Sequence, residues 1–311
     1  VLVAPGTYYS DPQGVEDEAW IRMKTGVTLA SEAGPEVTTL IKCPSSWGGI
    51  NFVVFFDHVS QATLRGFTIR MYQVGECTGG GGVQFYGVFC YCSDALIENN
   101  IISGKLVDGI VVIGPLPMSC SPVIRNNVVT GCVDRGISCS AGSTFWAPWI
   151  EGNTITSCRG SGLYLDSIQP WVRGNLISSN YDGIFIRCPV IVDFQLNVIT
   201  NNRNCGAWIW EKGLPYFGAV SFNGSYEIET GNDIYGNHAY EIYYRDDTGA
   251  NLVPAPFNYW GSSCPAPSLF GRVEWLPWTD STHAIECMDC ETCGTTSTEP
   301  GTWGAIKAMF R

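Results

Sequence analysis

Apolar positions in this chain fall in short alternating runs, and the runs recur. "IENNIISGKLVDGIVV", "IRNNVVTGCVDRGISC", "IEGNTITSCRGSGLYL", "VRGNLISSNYDGIFIR" and "FQLNVITNNRNCGAWIW" each set an Asn before an apolar pair, then polar residues, then a Gly and an alternating strand. The Asn positions are Asn100, Asn127, Asn153, Asn175 and Asn197, in steps of 27, 26, 22 and 22 residues. Gly109, Gly136, Gly162, Gly183 and Gly206 follow eight or nine places later. A period of this length predicts a solenoid. Alternation with period two, in runs too short and too often broken by Gly for helices, predicts strands.

The expected architecture is all-β: one parallel β-helix of about ten coils over residues 1–280, with a Cys-rich linker and tail over 281–311. Residues at one phase of the repeat then stack at the inter-strand spacing of about 4.8 Å. Ile124, Ile150 and Val172 point inward, as do Val129, Ile155, Ile177 and Ile199. The Asn column falls at a turn, where its amides can bond backbone groups of their own and the next coil. The Gly column is expected to supply positive φ beside a second turn. Loops at 114–121 and 141–148 absorb the uneven repeat length.

Composition narrows the setting. Apolar residues make up 45% of the 311 and charged residues 15%, so a core is affordable and disorder is not expected. Net charge is −12, from 17 basic against 29 acidic residues, which argues against nucleic acid as a partner. It also weighs against an unaided hold on strongly anionic polymers. No apolar run approaches the roughly 18 residues of a membrane span. Fourteen cysteines among Gly, Asn, Ser and Trp point to disulfides and an extracellular, secreted protein. Cys132 and Cys158 each lie five residues after their Asn in adjacent coils, and are expected to be bonded to each other. Cys92 and Cys120 form a second, weaker pair, while Cys139 sits at an inward phase as a buried thiol. Cys287-x2-Cys290-x2-Cys293 lacks a fourth zinc ligand, so no metal site is assigned. The chain opens on "VLVAPGTYY", a strand and turn read as the start of a mature or truncated product. An uncovered first coil would expose strand edges, so self-association through that end is expected.

These coils carry a family resemblance. The Asn-x-Ile…Gly-Ile pattern resembles the right-handed parallel β-helix repeats of the pectin-lyase-like superfamily, especially its NosD-like branch. "VLVAPGTYY" resembles the first coil of such proteins, and "FNYWGSSCPAPS" with "VEWLPW" their closing coil. The resemblance spans most of residues 1–280 and implies a right-handed β-helix. For activity it implies only a range, since the superfamily holds lyases, hydrolases, epimerases and non-catalytic modules. The Asp-Asp pair, Gly-His-Gly and Arg-x-Lys of polygalacturonase-like hydrolases are absent, and His58, His238 and His283 stand in other contexts. Only fragments of a pectate-lyase calcium site occur. No cofactor is assigned, with calcium alone left open. The Cys-rich tail resembles C-terminal tails of secreted bacterial proteins.

Candidate chemistry lies on the outward phases. The second residue after each Gly points to solvent: Val111, Ser138, Tyr164, Phe185 and Trp208. Two places on come Asp166, Arg187 and Trp210. A second stripe, Trp149 and Trp171, precedes the Asn column. Aromatic ladders of this step suit the faces of pyranose rings, and would equally suit packing beneath long loops. Glycoside hydrolysis needs two carboxylates about 5 Å apart for retention or roughly 6.5–9.5 Å for inversion. Asp166 and Glu211 lie two coils apart, about 10 Å by strand spacing, with Arg187 between them. Asp108, Asp134 and Asp182, near the Gly column, are read as turn residues, as is the Asp246-Asp247 pair. The expected function is recognition of a neutral polysaccharide, of plant glucan or xylan type, along an aromatic-lined groove. Glycoside hydrolysis, polysaccharide lysis and binding without catalysis all stay open.

Overall fold

The computed structural model describes residues 1–10, 19–43, 50–72, 84–114, 121–141, 147–187, 192–210, 215–217, 231–246, 252–261, 268–279 and 286–287. Three long sheets run the length of the molecule, of nine, nine and ten strands, and within each the neighbours are one coil apart. A coil contributes one strand to each sheet. Val123–Arg125 lies in the first, Val128–Thr130 in the second and Ile137–Ala141 in the third, before Trp149–Glu151 returns to the first. Pairing between coils is parallel and in register with the sequence repeat, as in Val123↔Trp149↔Trp171 and Ile110↔Ile137↔Leu163. No helix among the described residues is long and apolar enough to cross a membrane.

Core positions follow the alternation. Ile124, Ile150 and Val172 from the first sheet, and Val129, Ile155, Ile177 and Ile199 from the second, are 0–1% exposed. β-Branched side chains suit this pleated, stacked interior. Between first and second sheets the Asn column forms one continuous ladder from Asn100 through Asn127, Asn153, Asn175 and Asn197 to Asn232 and Asn258. Each Nδ2 donates to the Oδ1 of the next coil's Asn at 2.9–3.1 Å. From Asn127 onward each Oδ1 also accepts the backbone N–H of the preceding coil's Asn, at 2.8–3.1 Å. Their Nδ2 groups donate to backbone carbonyls as well, so the buried amides are satisfied coil by coil.

The Gly column does a different job from the one expected. None of Gly109, Gly136, Gly162, Gly183 and Gly206 has positive φ; the left-handed residues lie one before the ladder Asn (Asn99, Asn126, Gly152, Gly174, Leu196) and four after it (Gly104, Gly131, Ser157, Ser179, Asn201). The Gly column instead permits close approach between coils. A Cβ on Gly136 would run into Ile155 Cγ2 and the Gly162 carbonyl.

A second amide ladder, Asn180–Asn202–Asn237, stands five residues beyond the first in its coils. Cys132 and Cys158 hold that same phase upstream, and the Cys158 N–H donates to Asn180 Oδ1 at 3.0 Å. Contrary to expectation, both remain buried thiols, hydrogen-bonded to one another. The step between stacked coils is about 4.8 Å, wider than the 3.8 Å or so between the Cβ atoms of a disulfide. Cys139 is a fully buried thiol whose pKa burial pushes up to about 12. Cys43 and Cys287 are each disulfide-bonded. Cys120 lies outside the described residues, as does all of the tail except Glu286–Cys287, which pairs antiparallel with Trp278–Thr279.

Candidate functional site

The outward face of the third sheet carries an aromatic column. Register places Tyr164, Phe185, Trp208, Tyr243 and Phe270 side by side on five successive coils. Ring centroids step 5.6, 5.5, 5.5 and 4.6 Å along it, with near-parallel stacking at both ends. Strand alternation forces these rings outward because Leu163, Ile184, Ala207 and Ile242 fill the core side. Exposure is least at Tyr164 and greatest at Phe270. Tyr164, expected to be exposed, is only 9% so, because the Arg135 guanidinium lies 3.8 Å above its ring and Phe185 stacks beside it. Phe185, Trp208 and Tyr243 are half-buried, and Phe270 is 44% exposed. Trp208 Nε1 is buried and makes no hydrogen bond.

A second row runs beside the first: Ser140, Asp166, Arg187, Trp210 and Arg245 are register neighbours. Asp166 accepts from the Tyr164 hydroxyl at 3.3 Å and from Ser167 Oγ at 3.1 Å. Burial raises the Tyr164 pKa and the Arg187 hydrogen bond opposes that shift. Trp210 is 38% exposed. Asp166, Arg187, Tyr164, Phe185, Trp208 and Trp210 therefore share one face. Glu211 lies outside the described residues.

Trp149 and Trp171 belong elsewhere. They stack at 5.6 Å on the first sheet, with Asp193 next in register. Burial pushes the Asp193 carboxyl up to about 6, and its Oδ1 is buried without a partner while Oδ2 accepts from Gln195.

Sequence reasoning missed the upstream neighbour of the aromatic column. Asp108 Oδ1 accepts the Arg135 N–H at 3.0 Å, with the guanidinium 4.0 Å from Oδ2 and 3.6 Å from Asp134. Burial pushes Asp108 up to about 6, against the pull of that N–H and of the guanidinium. Asp182 accepts the Cys205 N–H in the same manner, at 3.2 Å. In place of the local turn role inferred from Asp-Gly, both carboxylates accept a backbone N–H of the next coil, and Asp182 opens the strand Asp182–Arg187. Asp134 is one place off that phase. Among the described residues no group of three or more His, Cys, Asp or Glu is placed to hold a metal ion.

Coils, ladders and an outward aromatic face define a β-helix protein. The chain belongs to the right-handed β-helix family, whose model, the right handed beta helix region, matches residues 52–219, more than half its length. A search of curated protein sequences found no match. Among solved structures it is similar to the A-module of Azotobacter vinelandii mannuronan C-5 epimerase AlgE4, at 14% identity and a TM-score of 0.59, over 90% of this chain and 88% of that one. It is likewise similar to the enzymatically active domain of bacteriophage CBA120 tailspike protein 2, at 14% identity and a TM-score of 0.58, over 89% of this chain and 42% of that one. At such identities the likeness is one of fold.

Proposed function

We propose that this protein, outside the cell, recognises a predominantly neutral polysaccharide of glucan or xylan type along the third sheet. The aromatic column supports this reading. Four successive rings, Phe185, Trp208, Tyr243 and Phe270, stay partly open and step by 4.6–5.5 Å. Sugar rings stack on such faces through apolar burial and CH–π contact, and a chain laid across the coils would meet one ring per coil. Two proteins of similar fold are, by name, a mannuronan epimerase and an enzymatically active tailspike domain. In a hydrolytic version of this reading, Asp166 and Glu211 are the carboxylate pair and Arg187 orients the substrate.

Recognition without catalysis is the second reading, and Asp166 favours it. Its oxygens are already held by Tyr164 and Ser167, so the carboxylate braces the platform. A polysaccharide panel scored for both pull-down and released ends tests both. Binding of xylan or β-glucan without new ends makes the protein a recognition module. New reducing ends abolished by Asp166→Ala make it a hydrolase, and unsaturated ends a lyase. No retention on any neutral polysaccharide would overturn the proposal.

A further inference from the structure

Register carries the line of the aromatic column upstream of Tyr164, through Ser138 and Val111 to Phe89 and Phe55. Rings return on those last two coils, where Phe52 and Tyr86 join them. Centroids stand 4.4 Å apart for Phe52–Phe89, 5.7 Å for Phe55–Phe89 and 6.2 Å for Tyr86–Phe89. Phe52 is buried, and the Arg22 guanidinium lies 5.1 Å over the Phe55 ring. Tyr86 and Phe89 stay half-buried, and the Tyr86 hydroxyl donates to the exposed Gln84 at 3.4 Å. Between the two aromatic groups the line holds only Val111 and Ser138, each 5% exposed, with Ile113 and Ser140 beside them in the second row. Tyr164 follows beneath Arg135. Phe89 therefore stands four coils before the next open ring, Phe185, a distance of about 19 Å, and seven before Phe270, about 34 Å.

We infer that Tyr86 and Phe89 form a second contact site for the strand that lies on Phe185–Phe270, so that the third sheet selects long, extended, uncharged chains over short ones. The inference rests on the polysaccharide reading of this sheet and adds the length that the ligand must have. No charged residue stands on the line from Phe55 to Phe270, in a chain with 17 basic and 29 acidic residues, which matches a neutral strand. With one sugar per coil, a tetramer fills Phe185, Trp208, Tyr243 and Phe270 and leaves the upstream rings empty. A chain of about eight residues covers the seven steps back to Phe89. Its middle residues cross Val111 and Ser138 with no ring to stack on. Both ring groups are fixed on one sheet, so little is lost in ordering them. Once the downstream half is seated, the upstream contact forms within the same complex, at high effective concentration.

Calorimetric titration of the full chain with xylotetraose and xylooctaose, and with β-glucan oligomers of the same two lengths, tests this. The octamer should bind about tenfold more tightly than the tetramer. Longer oligomers also gain from having more registers in which to bind, and variants separate that gain from the second site. Phe89→Ala and Tyr86→Ala should each lower octamer affinity by about threefold to tenfold and leave tetramer affinity unchanged. Phe89 packs on the buried Phe52, so melting temperature is read alongside. Tyr86 is the more open position, and its variant decides the matter if Phe89→Ala does not fold. Equal affinity for the two lengths, full octamer affinity in both variants, or equal losses for tetramer and octamer would overturn the inference and leave the polysaccharide reading standing. No binding at either length would overturn that reading itself, and the second site with it.

Discussion

Replacing Asn175 by Ala probes the device that holds the coils in register. Its Oδ1 accepts from the Asn153 N–H at 2.9 Å and from Asn153 Nδ2 at 3.0 Å. Its Nδ2 donates to Ile150 O at 2.8 Å and to Asn197 Oδ1 at 2.9 Å. These losses are unequal. Asn153 Nδ2 keeps the Ile124 carbonyl at 2.9 Å, and Asn197 Oδ1 keeps the Asn175 N–H at 3.0 Å. The Asn153 N–H is left without this partner in a site sealed from water, which costs about 1–3 kcal/mol. With the weakened bonds and the small void added, the total comes to about 2–4 kcal/mol. Urea unfolding followed by circular dichroism measures it, with Leu176→Ala as control. Leu176 is 38% exposed on the adjacent strand and should cost under about 1 kcal/mol. If Asn175→Ala were no less stable than Leu176→Ala, the ladder would be decoration and the argument for register wrong.

Other expectations follow from single sites. Leu196 holds φ +55 at the phase where other coils place Asn or Gly, and it is 37% exposed. Leu196→Asn should therefore raise stability by about 0.5–1 kcal/mol, the strain of a left-handed bulky residue; an unchanged urea midpoint would deny that strain. Burial raises both Asp108 and Asp193 to about 6. Folded carboxyls that bind protons more tightly than unfolded ones make stability greatest below about pH 4 and progressively lost up to about pH 6. Melting temperature should fall across that window, and Asp108→Asn with Asp193→Asn should flatten the fall; an equally steep profile in the double variant would contradict the assignment.

How far the sequence discloses this molecule depends on which physics is periodic. Inward Ile and Val columns and the Asn ladder repeat with the coil, so alternation and spacing reveal them. The ladder's last members, Asn232 and Asn258, do not show, because the 35-residue step from Asn197 to Asn232 breaks the period. Cys132 and Cys158 share the phase of Asn180 and Asn202, a cue that they fill ladder positions, whereas adjacency alone suggested a bond. The Gly column was visible but its cause was not, since close approach depends on Ile155 and its counterparts in the next coil. Arg135 over Tyr164 had no signal at all: a long side chain folding across a turn obeys no repeat. Splitting the Trp149–Trp171 pair from the Tyr164–Phe185–Trp208 column required knowing which sheet each strand joins.

Trp208 bears most directly on the central claim, because it stands mid-column between Phe185 and Tyr243 at 5.5 Å from each and is half-buried. Affinity for xylan or β-glucan and melting temperature should be measured together on Trp208→Ala. The platform account predicts an affinity loss of about 1–2 kcal/mol with a modest change in melting. A large fall in melting temperature with unchanged affinity would show that Trp208 is packing, and would contradict the assignment of this face to carbohydrate.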